Sequence, residues 1–155
     1  EHELNVRQGD TQIEPTGYFV ADVERAGRFC VMPEVSAVAK GDPTAIGYLT
    51  GNTFQRGFPQ YVLAFNRAYL ALPALPSTLI QSEKYGKEWI RRIDAGGNRT
   101  WIAVCNLAFE SAKVKIDGLA DGMLVDCVSG EQIPIRNASA TVPAGPMSLR
   151  SFRLR

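Results

Sequence analysis

The stretch "PQYVLAFNRAYLAL", residues 59–72, constrains this chain more than any other, because it describes a helix apolar on nearly every side. Val62, Phe65, Tyr69 and Leu72 recur at three- and four-residue spacing and form one stripe. Leu63, Ala64, Ala68, Leu70 and Ala71 fill the other faces, leaving Gln60, Asn66 and Arg67 as the clearly polar positions. Pro73 and Pro76 then stop it. A helix apolar nearly all round is buried on both sides. One small β domain covers only one of them. The pattern therefore predicts a second cover for residues 59–72, either the rest of a parent polypeptide or another copy of this chain.

At 155 residues the chain has the size of one ordinary domain, or of a small domain with a piece of another attached. Hydrophobic content of 45% against 21% charged residues is globular and argues for a packed core. The net charge is +1 and no run of lysines or arginines supplies a phosphate-binding stripe, so nucleic acid is not an expected partner. No segment reaches the ~18–20 uninterrupted apolar residues of a membrane-crossing helix, so no membrane partner is expected either. The opening "EHELNVRQGD" is polar and lacks an initiator methionine; it is no signal peptide and looks like a cut or processed end. Cys30, Cys105 and Cys127 are odd in number and widely spaced, which suits buried free thiols, with one disulfide left open, rather than a disulfide framework or a zinc site.

The texture changes near residue 77. Before it, strand and helix signals mix. "GYFVADV" (17–23) and "RFCVMPEV" (28–35) are rich in β-formers and predict a hairpin, with Gly27 free to take a positive φ. "GDPTAIGYLTGN" (41–52) predicts a short helix capped by Asp42, opened by Pro43 and stopped by Gly51. After it, the chain reads as all-β. "GGN" (96–98) joins two apolar strands. Ala112, Val114 and Ile116 alternate with Ser111, Lys113 and Lys115, the mark of a half-buried strand. Turns recur every 8–12 residues, as in an antiparallel sandwich. The fold class is α+β: a mixed hairpin-and-helix segment over 1–76, then an antiparallel β-sandwich over 77–155.

The order "WIAVCNLAFESAKVKI", "VDCVSGEQIPI", "ATVPAGPMSLRSFRLR" resembles the C-terminal β-sandwich that follows the catalytic (β/α)₈ barrel in many glycoside hydrolases. Asn106, Asp126, Gly130, Glu131, Pro143 and Gly145 occupy the places of that pattern, which are turns and strand ends. "GDPTAIGYLTGN" with "YVLAFNRAYLALPALPS" is similar to the last helical section of such a barrel. The resemblance implies the tail of a catalytic region over 1–76 and an accessory domain over 77–155. It also implies an extracellular or periplasmic location. The chain is far short of the ~250 residues of a whole barrel.

Catalytic residues do not emerge. Most glycosidases use two carboxyl groups ~5–10 Å apart, and nothing ranks Glu1, Glu3, Glu14, Asp22, Glu24, Glu34 and Asp42 among themselves. His2 is the single histidine, which excludes a multi-histidine metal site. No glycine loop cradles phosphate, so no cofactor is expected. Sugar binding is the alternative: Trp89, Trp101 and Tyr85 are the aromatic residues of the β region able to stack on a sugar ring, with Asn98 in the nearby turn to hold hydroxyls. A tryptophan pair on neighbouring strands is more often core packing. Three functions therefore stand: a non-catalytic portion of a glycoside-hydrolase-like protein, a self-contained carbohydrate-binding module, or a structural interaction domain unrelated to sugars.

Overall fold

The structure, a computed structural model, describes residues 27–43, 59–82 and 86–155, with the backbone of four two-residue strands before them. These are β1 (His2–Glu3), β2 (Arg7–Gln8), β3 (Thr11–Gln12) and β4 (Tyr18–Phe19); β1 pairs with β4 and β2 with β3, both antiparallel. A 3₁₀ turn over Gly27–Val31 leads into α1 (Met32–Lys40), and α2 spans Pro59–Leu70. Eight strands follow: β5 (Thr78–Ser82), β6 (Glu88–Asp94), β7 (Thr100–Asn106), β8 (Ala112–Asp117), β9 (Met123–Asp126), β10 (Gln132–Pro134), β11 (Ser139–Ala144) and β12 (Ser148–Leu154). Among the described residues no helix is long and apolar enough to cross a membrane.

The strand expected over 28–35 is helical instead, so it forms no hairpin with 17–23; Tyr18–Phe19 pairs with His2–Glu3. The helical period wins. Val31, Val35, Val38 and Ala39 fall on one face and are buried at 2%, 0%, 5% and 0% exposure. Pro33 sits in the first turn, where its missing N–H costs nothing. Gly27 does take a positive φ, 55°, but at the entry of the 3₁₀ turn. The helix expected after Asp42 lies outside the described residues beyond Pro43.

Six strands form one antiparallel sheet in the order β10-β9-β12-β7-β6-β5, and β8 and β11 form a separate two-stranded ribbon. The ribbon packs on one face of the sheet. Ile90, Ile102, Val104, Leu124 and Phe152 of the sheet meet Val114, Ile116, Ala140 and Val142 of the ribbon in one core. The helices cover the other face, where Ala103, Cys105 and Leu149 meet Val35, Val38, Val62, Phe65 and Ala68. A strand buried on both sides should read as a continuous apolar run. β7 does: residues 102–106 are all buried.

The turns are built by the residues the sequence pattern singled out. Gly96, Gly97 and Asn98 have φ of 72°, 58° and 58° and close the β6–β7 hairpin, Arg99 N–H donating to Gly96 O at 3.1 Å. Asn106 is fully buried; its amide donates to Glu110 O (2.9 Å) and Gly145 O (2.8 Å), and its Oδ1 accepts from Ala108 N–H (2.9 Å). Asp126 Oδ1 accepts the N–H groups of Val128 and Ser129, while Arg150 Nη2 donates to Asp126 Oδ2 and to Glu131 Oε2, both at 2.7 Å. Burial pushes the Asp126 carboxyl up, but the Ser129 N–H, Arg150 and the Val128 N–H outweigh it and hold it below the usual carboxylate range. The three cysteines are free thiols, Cys105 buried and the other two half-buried.

Phe152 is 0% exposed at the centre of the ribbon-side core. Phe152→Ala is expected to cost about 3–5 kcal/mol, read as a lowered urea midpoint at unchanged slope. Val128→Ala, at a site 50% exposed, is expected to stay within about 0.5 kcal/mol.

Candidate functional site

Where the C-terminal ends of α1 and α2 meet the sheet, a cleft of about 500 Å³ opens. Its walls are mainly apolar, from Val38, Leu70, Leu72, Leu75 and Ile93, with Asp42, Tyr69 and Ser77 as its polar members. The segment 71–77 after α2 makes one wall, held open by Pro73 and Pro76, which cannot continue the helix.

Each polar group of the cleft is already engaged. Ser77 donates its N–H to Asp42 Oδ1 at 2.9 Å, and its hydroxyl donates to the same oxygen. Arg91, whose side chain is 10% exposed, reaches across from β6: Nε donates to Ser77 Oγ (2.5 Å), Nη1 to Ala39 O (3.3 Å), and Nη2 to Ser77 O (3.2 Å) and Asp42 Oδ2 (3.5 Å). Tyr69 Oη donates to Pro43 O at 2.6 Å. One guanidinium thus ties the end of α1, the chain entering β5 and the sheet together. Burial raises the Asp42 pKa, but the Ser77 hydroxyl and N–H and then Arg91 outweigh it, and the carboxyl is held below the usual range. A carboxyl kept ionised and doubly bonded is a poor proton donor.

The other carboxylate of the described residues between 27 and 76 is Glu34, buried in the first turn of α1. It sits in the first turn of that helix, whereas Asp42 lies two residues past its last turn. Glu1, Glu3, Glu14, Asp22 and Glu24 have no described side chains. Among the described residues the cleft is an apolar seat with a hydrogen-bonded polar rim.

The structure separates the sugar-binding candidates. Trp89 lies opposite Cys105 and Trp101 opposite Ile93, so both rings are on the helix-covered face but four residues apart along the strands, about 13 Å. Trp89 packs against the helix-side core, and its Nε1 donates to Gly86 O at 2.8 Å. Trp101 is half-buried, with the Arg153 guanidinium 5.4 Å from its ring centroid. Asn98 is exposed at the tip of the same hairpin. Tyr85 lies outside the described residues. Sequence reasoning did not find Arg91 or Ser77, whose partners are 14 to 52 residues away and leave no local pattern.

Arg91→Met removes the donor from four acceptors and is expected to cost about 2–4 kcal/mol. Because the Asp42 carboxyl is depressed in the folded state, its contribution is complete above its unfolded pKa of about 4 and is lost as pH falls through the folded value. Asp42→Asn is expected to be less stable than the wild type at pH 6, with the gap closing below about pH 4 in acid-dependent urea titrations.

No protein-family model matches the chain, and no curated protein matches it. Solved structures do. Over 71% of its length the chain is similar to 24% of an α-amylase from Geobacillus thermoleovorans, solved with acarbose, at a TM-score of 0.51 and 11% identity. It is similar over 57% of its length to 25% of a GH30 endoxylanase from Clostridium papyrosolvens (TM-score 0.44, 17% identity). It is similar over 50% of its length to 17% of an α-amylase from Anoxybacillus (TM-score 0.44, 15% identity). The chain spans a quarter or less of these solved chains. The likeness is one of fold: over part of its length this chain folds like part of a glycoside hydrolase.

Proposed function

We propose that this chain is the C-terminal portion of a glycoside-hydrolase-like protein. Residues 1–76 are the tail of its catalytic region, and 77–155 are an accessory β-sandwich that braces that region without carrying the reaction. The observation that carries this reading is the two-sidedness of α2. Val62, Phe65 and Ala68 are buried against the sheet, while Leu63 is 47% and Leu70 79% exposed on the outward side. Leucines placed outward on a helix that is already docked belong to a second cover. The similar stretch of the Geobacillus enzyme is likewise a minor part of a longer chain.

The purified chain is expected to show no hydrolysis of aryl α- or β-glycosides above a contaminant control; turnover that survives the control contradicts the reading. The double variant Leu63→Ser/Leu70→Ser is expected to lower self-association in light scattering behind a sizing column, with a urea midpoint within about 0.5 kcal/mol of wild type. A wild-type chain that stays monomeric at high concentration favours the self-contained carbohydrate-binding module instead. The specific observation behind that second reading is the half-exposed Trp101 ring, and a saturable fluorescence shift with a neutral polysaccharide would support it.

A further inference from the structure

The register of the sheet lines up a row on the helix-covered face beyond the helices: Ile93, Trp101, Arg153, Val125 and Gln132 are successive cross-strand partners on β6, β7, β12, β9 and β10. Arg153 stands at its centre. Three other arginines of the sheet are ion-paired. Arg91 pairs with Asp42, Arg92 with Asp94, and Arg150 with Asp126 and Glu131. Among the described residues no carboxylate pairs with Arg153. Its Nε is buried and has no hydrogen-bond partner.

Two further observations point the same way. Ser151, two residues earlier on the same face, is 0% exposed, and its Oγ has no hydrogen-bond partner beyond the Cys127 sulfur, to which it donates weakly. Orphaned buried donors are rare and mark places where a partner group is missing. The two carboxylates that precede Arg153 most closely in sequence, Asp126 and Glu131, are both held by Arg150, and Asp126 alternates to the opposite face of β9.

We propose that Arg153, whose guanidinium lies 5.4 Å from the Trp101 ring centroid, is the anchor of a carboxylate-binding site, with Ser151 two residues along the same face and Gln132 in the same cross-strand row. A guanidinium presents a planar fork that matches a carboxylate, and the cation–π contact with Trp101 restricts where that fork can lie before the ligand arrives. The carboxylate belongs either to an acidic sugar or to an Asp or Glu side chain of a docking protein surface. This inference stands apart from the reading of the chain as an accessory portion, because it concerns a different face and survives if α2 needs no second cover.

Trp101 is the reporter. In a Trp89→Phe background it is the single tryptophan, and its emission is followed at constant ionic strength during titration with sodium D-glucuronate, sodium acetate and D-glucose. The expected result is a saturable change with glucuronate, with a Kd of about 1–10 mM, and none with glucose. A matching response to acetate assigns the site to any carboxylate, including a protein side chain; its absence assigns the site to acidic sugars. Arg153→Gln is expected to abolish the response, and Arg153→Lys, which keeps the charge but loses the fork, to weaken it about tenfold. Far-ultraviolet circular dichroism and the urea midpoint separate loss of the site from loss of the fold. An equal response to glucose overturns the proposal. So does silence up to about 50 mM carboxylate, or a response that persists in folded Arg153→Gln.

Discussion

Everything in this structure depends on a central sheet that is apolar on both faces. β7 is the clearest case: Ile102 and Val104 face the ribbon, Ala103 and Cys105 face the helices, and all four are 1% exposed or less. Such a strand cannot be stable with one cover. Removing the ribbon would expose the first pair and removing the helices the second, each fully buried Ile or Val being worth roughly 1.5–3 kcal/mol. The described helices are therefore part of the sandwich's core, although they precede it in sequence and read as a different kind of segment. The Arg91–Ser77–Asp42 cluster adds direction to that packing, because the end of α1 and the start of β5 must sit where one guanidinium can reach both.

This arrangement leaves apolar surface on the outward side of the helices. α2 spends one side on the sheet and leaves Leu63 and Leu70 outward, next to an apolar cleft at its C-terminal end. The polar groups of that cleft, Asp42, Tyr69 and Ser77, are hydrogen-bonded, and its walls are mainly apolar.

The sequence made the β half legible where period and turn chemistry were local. The alternation of 112–116 and the Gly96–Gly97–Asn98 turn appear where the pattern places them. Asn106 and Asp126 were marked through a family resemblance, and the structure supplies their physics: each satisfies backbone groups at a strand end that would otherwise be stranded. The segment 28–35 reads as a strand because Phe29, Cys30 and Val31 are β-formers by type, yet it is helical. The spacing of Val31, Val35, Val38 and Ala39 held the better signal, and tertiary burial decided for it. Trp89 and Trp101 do share a face, yet only the register reveals that one is covered by the helices while the other carries Arg153. Contacts such as Arg91 to Ala39, 52 residues apart, leave no trace in a linear reading.

The central claim is that the helices and the sheet form one cooperative unit, and native-state hydrogen exchange measures this directly. Amides in the middle of α2, residues 63–68, are compared with those of β7 as denaturant is raised from zero. The account predicts that both sets merge into one opening with the free energy of global unfolding. If α2 exchanges through a separate, lower-energy opening while β7 stays protected, the helices are not part of the sandwich's core and the account is contradicted.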